Sequence, residues 1–332
     1  MKRRFLVIGA GSIGKRHMKN LLALGQEVIA LDSREDRRAE AAALGAEPFS
    51  EPGAAWDRGP AAVFVTTPTG GHVAPALEAA RRGLPLFIEK PLSHQAEGLG
   101  PLLHEVRIRN LVTLVGCNLR FHPGLRLAKS LLDDGAIGRL LSVRAEVGQY
   151  LPDWHPWEDY RKGYSANRRM GGGVILDDIH ELDYVRWLAG DVEEVSCVAV
   201  NTGSLEIDTE DLAALLLRFR GGAVGEVHLD YLQRVYSRSC HLIGSEGTLR
   251  WDASSGCRLW RKAKAAWEEF PLPAGWEPNA MYLDELGHFL ACLDGRERPC
   301  QDVFEAERIL RAADAAKRSA AEGRAVRLEW KG

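Results

Sequence analysis

The feature that most constrains this fold is a short apolar strand followed directly by a glycine-rich turn and a helix. The strand, Phe5-Leu6-Val7-Ile8, shows no polar alternation, as expected when both faces of a parallel sheet are covered. The turn Gly9-Ala10-Gly11-Ser12-Ile13-Gly14 opens an amphipathic helix that ends before Gly25. Glycines permit tight turns and close backbone approach, and the N–H groups of a helix start attract phosphate. The stretch therefore predicts a dinucleotide site, with a strand–helix turn that binds nothing as the simpler alternative.

The next strand indicates which dinucleotide would bind. Val28-Ile29-Ala30-Leu31 ends in Asp32, whose carboxylate could accept hydrogen bonds from the adenosine ribose and would repel a 2′-phosphate. This favours NAD over NADP. Arg34, Arg37 and Arg38 weaken the preference, although arginines in a polar run usually form a solvated helix face.

Strands and helices keep alternating as far as residue 122, which predicts a doubly wound parallel sheet of the Rossmann type. One of these helices is expected over residues 95–107. Ligands of such sheets gather at the carboxyl ends of the strands. The predicted strand ends are Gly9, Asp32, Thr67, Glu89-Lys90 and Asn118.

Beyond residue 122 the pattern changes to strands in which every second residue is apolar. Arg220-Gly221-Gly222 is typical of a hairpin turn between two of them. Helices are expected over residues 177–188, 281–293 and 303–322. We therefore predict an α/β protein with two domains. Residues 1–122 form the NAD(P)-binding Rossmann domain, and residues 123–332 form an α+β domain with a large, mostly antiparallel sheet, for substrate binding and oligomerisation.

Composition argues against several classes of function. Of the 332 residues, 45% are hydrophobic and 27% are charged, which is typical of a soluble globular protein. The formal net charge of -3 provides no footprint for nucleic acid. No apolar run approaches the roughly 20 residues that cross a bilayer. The six cysteines are scattered without metal-ligand spacing, so we expect reduced thiols, a cytoplasmic protein and no metal site.

Glu89-Lys90-Pro91 forms the first candidate for chemistry. Pro91 disfavours helical geometry at Lys90, which helps to hold the lysine at the tip of its strand. An ammonium group beside a nicotinamide could hydrogen-bond a substrate hydroxyl and stabilise its developing negative charge. A surface lysine at a strand end is the alternative.

The second candidate is the stretch from Gly171-Gly172-Gly173 to His180. Three glycines would let the backbone pass close to a ligand. Asp177 and His180 are three residues apart, so both could lie on one helix face and act as a general acid/base pair. The alternative is that Asp177 caps the helix and His180 is a histidine of the core.

The loop before this helix is rich in aromatic and basic residues, and we expect it to border the substrate. Aromatic faces pack against sugar rings, and arginines could hold an anionic group; an interface or a small satellite core is the alternative. The substrate contacts expected here are Trp154, His155, Tyr160, Arg161, Tyr164 and Arg169. Arg120 and His122, at the predicted domain junction, could also touch the substrate.

One strand of the second domain has apolar residues on both faces. Leu215, Leu217 and Phe219 cannot share a face with Ala214 and Leu216. A sheet that is apolar on both sides needs a partner on its open face, which predicts a homo-oligomer.

Taken together, these motifs resemble the Gfo/Idh/MocA family of oxidoreductases over essentially the whole chain. The motifs that carry the resemblance are the glycine turn from Gly9, Thr67-Pro68-Thr69 with His72, Glu89-Lys90-Pro91, Asn118-Leu119-Arg120-Phe121-His122-Pro123, the glycine run through His180 and Asp183, and Gly244-Ser245-Glu246-Gly247-Thr248-Leu249. The cofactor contacts expected by motif and resemblance are Gly9, Gly11, Ser12, Ile13, Gly14, Asp32, Ser33, Thr67, Pro68, His72, Glu89, Lys90 and Asn118.

The resemblance also implies catalytic roles. Lys90 matches the family lysine that contacts the nicotinamide ribose and the substrate, and His180 matches the histidine that moves the hydroxyl proton. Asp177 matches the third member of this set. The commoner family spacing between aspartate and histidine is four residues, which here would select Leu176, so Asp178 stays open as a substitute for Asp177.

The function predicted from the sequence is hydride transfer between NAD and a secondary hydroxyl or ketone of a sugar, cyclitol or nucleotide sugar. By the resemblance, the homo-oligomer would be a dimer or tetramer built through the open face of the second sheet. Two alternatives remain: a catalytically inactive NAD(P)-sensing protein, and a reductase of a non-sugar substrate such as an imine or a dihydrodiol.

Overall fold

The computed structural model separates the chain into two compact units. The first consists of Met1–Cys117 and Pro278–Glu307, and the second of Asn118–Glu277 and Arg308–Gly332. The sequence predicted a single boundary at residue 122, and the structure differs because the chain returns to the first unit after residue 277. The residues that the structure describes are 2–154, 156 and 158–330.

The first unit is built on six parallel strands in the order β3-β2-β1-β4-β5-β6, which confirms the Rossmann-type sheet. The strands are β1 Arg4–Ile8, β2 Glu27–Leu31, β3 Glu47–Phe49, β4 Ala62–Val65, β5 Leu86–Glu89 and β6 Thr113–Gly116. The helices of this unit are α1 Ser12–Ala23, α2 Glu35–Leu44, α3 Pro52–Trp56, α4 Val73–Arg81, α5 Gly100–Arg109 and α9 Asn279–Leu293.

Aromatic packing explains why the segment after residue 277 belongs to the first unit. Phe64 of β4 and Phe87 of β5 stack with their ring centroids 4.6 Å apart. Phe289 of α9 meets both rings edge-on at 5.6 and 5.7 Å and is fully buried. Burial of an aromatic side chain of this size contributes about 1.5–3 kcal/mol to stability, which holds α9 to the sheet.

One helix begins later than the sequence predicted. The helix expected over residues 95–107 starts at Gly100 and ends at Arg109. Gly98 has a positive φ of 85°, and Pro101 stands in the first turn of the helix. Proline is well accommodated in a first turn because no intrahelical bond is lost there, so it marks the start of a helix.

The second unit contains nine strands in the order β14-β13-β12-β11-β7-β10-β9-β8-β15. Its neighbouring strands pair antiparallel except β7 and β10, which confirms a mostly antiparallel sheet. The strands are β7 Leu140–Gly148, β8 Val192–Val200, β9 Leu212–Phe219, β10 Val224–Asp230, β11 Ser237–Gly244, β12 Gly247–Asp252, β13 Gly256–Arg261, β14 Ala266–Pro271 and β15 Val326–Arg327. The sequence did not predict β13, β14 and β15.

Helices cover one face of this sheet. They are α6 Pro123–Asp133, α7 Val174–Asp177, α8 His180–Ala189 and the larger part of α10 Val303–Glu322. On β9, Leu215, Leu217 and Phe219 are buried, whereas Leu216 is 58% exposed on the opposite face. The apolar residues of β9 therefore divide between the two faces as the sequence indicated.

The helix expected over residues 177–188 is two helices. The helix α7 ends at Asp177 and α8 begins at His180, with Asp178 and Ile179 between them. The expectation that Asp177 and His180 share the face of one helix is therefore wrong.

Among the described residues, no helix is long and apolar enough to cross a bilayer.

Candidate active site

The glycine turn after β1 is shaped by the end of the neighbouring strand β4. Gly9 has a φ of 99°, and a Cβ on it would lie 2.8 Å from the carbonyl oxygen of Thr66. The hydroxyl of Thr66 donates a hydrogen bond to the carbonyl of Gly9 at 2.6 Å. A Cβ on Gly14 would lie 2.0 Å from that same carbonyl. Gly9 and Gly14 are thus required by internal packing, and Thr66 is a residue that sequence reasoning missed.

Gly11 differs because the space beside it is open. A Cβ on Gly11 would meet nothing closer than Arg37 Nη1 at 3.8 Å. The helix α1 begins at the next residue, Ser12, and no side chain accepts a hydrogen bond from its start. The hydroxyl of Thr67 is buried and has no hydrogen-bond partner among the described residues. Open space, free helix N–H groups and an unpaired hydroxyl fit the pyrophosphate of a dinucleotide.

Asp32 at the end of β2 both closes the turn and faces the ribose position. Its Oδ2 accepts from the backbone N–H of Ala10 at 2.7 Å, and its Oδ1 accepts from Arg34 N–H at 2.9 Å. Each carboxylate oxygen has a second lone pair that could accept a ribose hydroxyl. The neighbouring Ser33 is exposed. This geometry supports the expected preference for NAD.

The three arginines after Asp32 have different partners. Arg34 pairs with Asp36, and Arg38 donates to the carbonyls of Asp32 and Ser33 at 3.0 and 2.7 Å. Only Arg37 approaches the Asp32 carboxylate, at 3.7 Å from Oδ2. Two of the three guanidinium groups are therefore engaged by other protein groups.

The loop after β4 is tied to the loop after β5 by a buried histidine. Pro68 is exposed, while His72 is 1% exposed. The His72 ring nitrogens lie 2.7 Å from the carbonyl oxygen of Thr67 and 2.8 Å from that of Pro91. Burial lowers the pKa of His72. Since both nitrogens face carbonyls of the protein, His72 positions the loops rather than presenting a free nitrogen to a cofactor.

Lys90 follows β5 on a backbone that a buried pair holds in place. Glu89 is 6% exposed, and its Oε1 lies 2.6 Å from Nε2 of His17 on α1. Its Oε2 accepts from the backbone N–H of Lys90 at 3.2 Å. The Lys90–Pro91 peptide bond is cis. The Glu89 side chain, expected to meet the cofactor, points into the first unit toward His17, which sequence reasoning missed.

In the second unit, hydroxyl groups surround the carboxylate of Asp177. Tyr164 OH donates to Oδ1, while Ser165 Oγ and Tyr231 OH donate to Oδ2, at 2.6 and 3.1 Å respectively. Asp177 is 2% exposed. Burial raises the pKa of Tyr231 well above its usual value, so this residue stays a hydroxyl donor. A carboxylate held by neutral donors keeps its negative charge available to a neighbouring base.

Asp178 has a different partner, since Arg238 of β11 donates to its Oδ1 at 3.0 Å. His180, the first residue of α8, is 8% exposed. Asp178 therefore pairs with a guanidinium, whereas hydroxyl groups donate to Asp177. The geometry thus favours Asp177 over Asp178 as the partner of an acid/base histidine.

The glycine run before α7 makes room for protein rather than for a ligand. A Cβ on Gly172 would lie 2.2 Å from the carbonyl of Tyr164, and one on Gly173 would lie 2.3 Å from Oε1 of Glu210. Gly173 also has a φ of 106°. The expectation that these glycines let the backbone approach a ligand is not supported, because loop and side-chain atoms of this unit already fill the space.

The side chains at the start of the second unit are bound internally. Asn118 is 6% exposed in a short 3₁₀ turn over Asn118–Phe121. Arg120 is 5% exposed and forms a two-pronged pair with Asp183, with Nε–Oδ2 and Nη2–Oδ1 both at 2.9 Å. This guanidinium is therefore bound through Nε and Nη2 by a carboxylate of α8, and its expected contact with the substrate stays a prediction.

His122 has a packing and capping role. Its Nδ1 accepts from the N–H of Gly124 and from Nε1 of Trp251, each at 3.1 Å, and its Nε2 lies 3.2 Å from the carbonyl oxygen of Ala253. Burial lowers the pKa of His122 to about 4. With 1% exposure and both nitrogens engaged, the imidazole has no group left for the expected substrate contact.

Two aromatic side chains of the loop before α7 contact other parts of the second unit. The rings of Trp154 and Tyr231 meet edge-on at 5.5 Å, which places Trp154 beside the Asp177 hydroxyl cluster. Tyr160 OH accepts from the backbone of Glu206 at 3.3 Å. The predicted contact His155 lies outside the described residues.

The two loop arginines of the prediction also differ. Arg161 pairs with Asp159 and Glu206, and the hydrogen bond that its guanidinium donates to Asp159 raises its pKa. Arg169 is exposed, and within the described ranges no carboxylate forms a salt bridge with it. Arg169 is therefore the better candidate for an anionic group. No cluster of three or more His, Cys, Asp or Glu placed to hold a metal occurs in the part of the chain that the structure describes.

A Gly11→Ala variant tests the dinucleotide cradle, by which we mean the glycine turn from Gly9 to Gly14 and the start of α1. The added Cβ has space, so thermal stability should change little, but it occupies the expected pyrophosphate position and should raise the Kd for NAD at least about tenfold. Calorimetric titration with NAD measures this. The control is Gly287→Ala in α9, whose Cβ also meets open space. Equal affinities of the two variants would contradict the cradle.

The pKa of His122 predicts a pH-dependent stability. Its folded value of about 4 lies below the usual 6.5, so between these values the unfolded chain binds more protons. The contribution is fully present above pH 6.5 and is lost as the pH falls towards 4, by about 3 kcal/mol in total. Urea unfolding across this range should show a shallower loss of stability in His122→Gln than in the wild type. Parallel curves would disprove the assignment.

Comparisons with known proteins agree with this geometry. Residues 3–117 match the model "Oxidoreductase family, NAD-binding Rossmann fold", and residues 125–250 match the "GFO/IDH/MocA C-terminal domain". Myo-inositol 2-dehydrogenase of Thermotoga maritima is 29% identical over 98% of both chains. Levoglucosan dehydrogenase of Pseudarthrobacter phenanthrenivorans is 28% identical over 56% of this chain, which spans only 54% of that relative's length.

A solved structure is similar over nearly the full length. The WlbA dehydrogenase from Bordetella pertussis, in complex with NADH and UDP-GlcNAcA, superimposes with a TM-score of 0.86, at 25% identity over 99% of both chains. The two family models and the full-length similarity assign the chain: it belongs to the Gfo/Idh/MocA family of oxidoreductases with an NAD-binding Rossmann fold.

Proposed function

We propose that this protein is an NAD-dependent dehydrogenase that acts on a secondary hydroxyl of a sugar, cyclitol or nucleotide sugar. The observation that carries the proposal is the buried Asp177 carboxylate, which three hydroxyls hold immediately before His180. A histidine that follows a buried carboxylate by three residues is suited to accept and return a proton near neutral pH.

Each proposed catalytic residue has a separate task. NAD supplies the nicotinamide carbon that accepts or returns the hydride. His180 takes the hydroxyl proton in the oxidative direction and returns it in the reductive direction. Lys90 donates a hydrogen bond to the substrate oxygen, where negative charge develops, and Asp177 stabilises the protonated form of His180.

The relatives and the aromatic loop support a sugar-like substrate. The named relatives act on inositol and levoglucosan, and the similar structure contains an acidic nucleotide sugar. Trp154 is half-buried beside Tyr231, near Asp177, and an indole face suits the C–H face of a sugar ring. The exposed Arg169 supports an anionic group on that sugar.

Substitution of the proton-handling residues tests this assignment. Lys90→Met and His180→Asn should each lower kcat by about 10²–10⁴, because general acid–base catalysis supplies this much, with a far smaller effect on the Kd for NAD. The wild type is first screened for NADH formation with sugars, inositols and nucleotide sugars. Lys129→Met, at a half-buried position of α6, and His104→Asn, at an exposed position of α5, serve as controls.

Two results would contradict the assignment. Full turnover in Lys90→Met with the identified substrate would remove the lysine from the mechanism. Tight NAD binding by the wild type without turnover of any compound would favour the NAD-sensing alternative.

The open face of the second sheet supports a homo-oligomer, a dimer or a tetramer, and the cytoplasm is the compartment we propose for it. Exposed apolar side chains on this face include Val198 (64%), Leu216 (58%), Val224 (47%) and Ile243 (48%). A patch of this kind on a water-exposed sheet favours association with a second copy. All six cysteines are free thiols, as the expected compartment requires.

A charge on this face should separate the copies. Leu216→Glu is expected to reduce the molar mass measured by light scattering to that of the 36.6 kDa chain, because burying a carboxylate in an apolar interface is unfavourable. Ile108→Glu, at an equally exposed apolar position of α5 (59%), should leave the mass unchanged. A monomeric wild type, or an unchanged Leu216→Glu variant, would disprove the interface.

A further inference from the structure

A buried arginine of the sheet spans the junction between α7 and α8. The side chain of Arg238, on β11, is 12% exposed. Its Nη2 donates to Asp178 Oδ1 at 3.0 Å and to Glu181 Oε2 at 3.2 Å, and its Nε lies 2.8 Å from Glu181 Oε1. One guanidinium thus binds a carboxylate on each side of His180.

The junction lacks the usual means of fixing a helix start. Ile179 is the residue before α8, it has helical backbone angles, and no side chain caps the helix there. Only Asp178 and Ile179 separate the two helices. The direction of α8, and with it the orientation of His180, therefore depends on side chains that bind across the junction.

The groups around Arg238 form a closed polar cluster. Tyr184 OH donates to Glu181 Oε1 at 3.3 Å, and the two carboxylates outnumber the guanidinium. Burial raises the pKa of Glu181, while Arg238 opposes that shift. The other titratable groups that face the cluster are Tyr236, Cys240 and Tyr231. Removal of Arg238 would take away the guanidinium that these two carboxylates share next to the proposed base.

We propose that Arg238 is a positioning residue for His180. By binding Asp178 before the histidine and Glu181 after it, the guanidinium holds the α7–α8 junction in one geometry and presents the imidazole in one orientation. The inference rests on the proposed function only for its effect on turnover. A displacement of about 1 Å at a reacting group can cost about a hundredfold in rate.

A purely structural role makes a different prediction. Buried ion pairs often contribute little net stability, and their loss can simply destabilise a fold. Arg186 offers a matched comparison, because it pairs with Asp191 through Nη2–Oδ1 at 2.7 Å near the far end of the same helix. Breaking that pair should disturb α8 without disturbing the residues next to His180.

The experiment compares Arg238→Met, Arg238→Lys and Arg186→Met in the full-length protein with NAD. We expect Arg238→Met to lower kcat about a hundredfold with KM for NAD unchanged. Arg238→Lys restores the charge but not the two-pronged geometry, so it should recover about tenfold of this loss. Arg186→Met should keep kcat within about threefold of the wild type. Equal kcat losses in Arg238→Met and Arg186→Met would overturn the proposal.

If the single change Arg238→Met prevents folding, a charge-balanced variant replaces it. Asp178→Asn, Glu181→Gln and Arg238→Met together remove the three charges and leave no unpaired ion. This variant should fold, bind NAD and retain the low kcat. A normal kcat in it would overturn the proposal.

A second readout separates this inference from the proposed function. Hydrogen exchange followed by mass spectrometry should show faster exchange of the amides over residues 178–183 in Arg238→Met, but not in Arg186→Met. If the wild type turns over no sugar-like compound, the proposed function fails. Hydrogen exchange still tests whether Arg238 holds the α7–α8 junction in one geometry. Unchanged exchange at residues 178–183 would overturn the inference even if the dehydrogenase activity is established.

Discussion

The second unit depends on how it satisfies four carboxylates that lie close together in sequence and out of contact with water. Asp177, Asp178, Glu181 and Asp183 are at most 5% exposed. An ionised carboxylate without a partner is strongly destabilising in such surroundings. Arg238 binds Asp178 and Arg120 binds Asp183, so the start of α8 is held from two directions by guanidinium groups.

The two adjacent aspartates have different kinds of partner. A guanidinium pairs with Asp178, whereas the hydroxyls of Tyr164, Ser165 and Tyr231 donate to Asp177. A protonated imidazole is stabilised by a nearby negative charge and not by a neutral ion pair. Sequence spacing left both aspartates open, and the distinction follows from residues that are distant in the chain.

In the first unit, too, a buried carboxylate holds a proposed catalytic residue, Lys90, in place. The buried Glu89 reaches His17 with one oxygen and the N–H of Lys90 with the other. The lysine backbone is thereby joined to α1, the helix whose start forms the dinucleotide cradle. His17 is fully buried, and a substitution there would change the position of the Lys90 backbone.

The features that the sequence could predict are those that depend on residues close together in the chain. The glycine turn, Asp32 and the parallel strands are local patterns, and the structure reproduces them because turn geometry and strand burial depend on neighbouring residues. The break between α7 and α8 depends on residues far away in sequence. The same is true of the internal hydrogen bonds of Arg120 and His122. Those partners, Asp183 for Arg120 and Trp251 for His122, belong to elements with no local signal for the contact. Edge strands such as β14 were missed because their residues are mostly exposed and lack apolar alternation.

The same reasoning bears on substrate charge. The sequence offered several arginines as anion ligands, but a guanidinium already paired with carboxylates would have to exchange one anion for another, with little net gain. Arg120 and Arg161 are in that position, bound by Asp183 and by Asp159 with Glu206. Arg169 has no such competitor among the described residues, and its backbone is anchored by Asn167 at 3.0 Å. Any preference of this protein for an acidic sugar would therefore depend on Arg169 more than on the paired arginines Arg120 and Arg161.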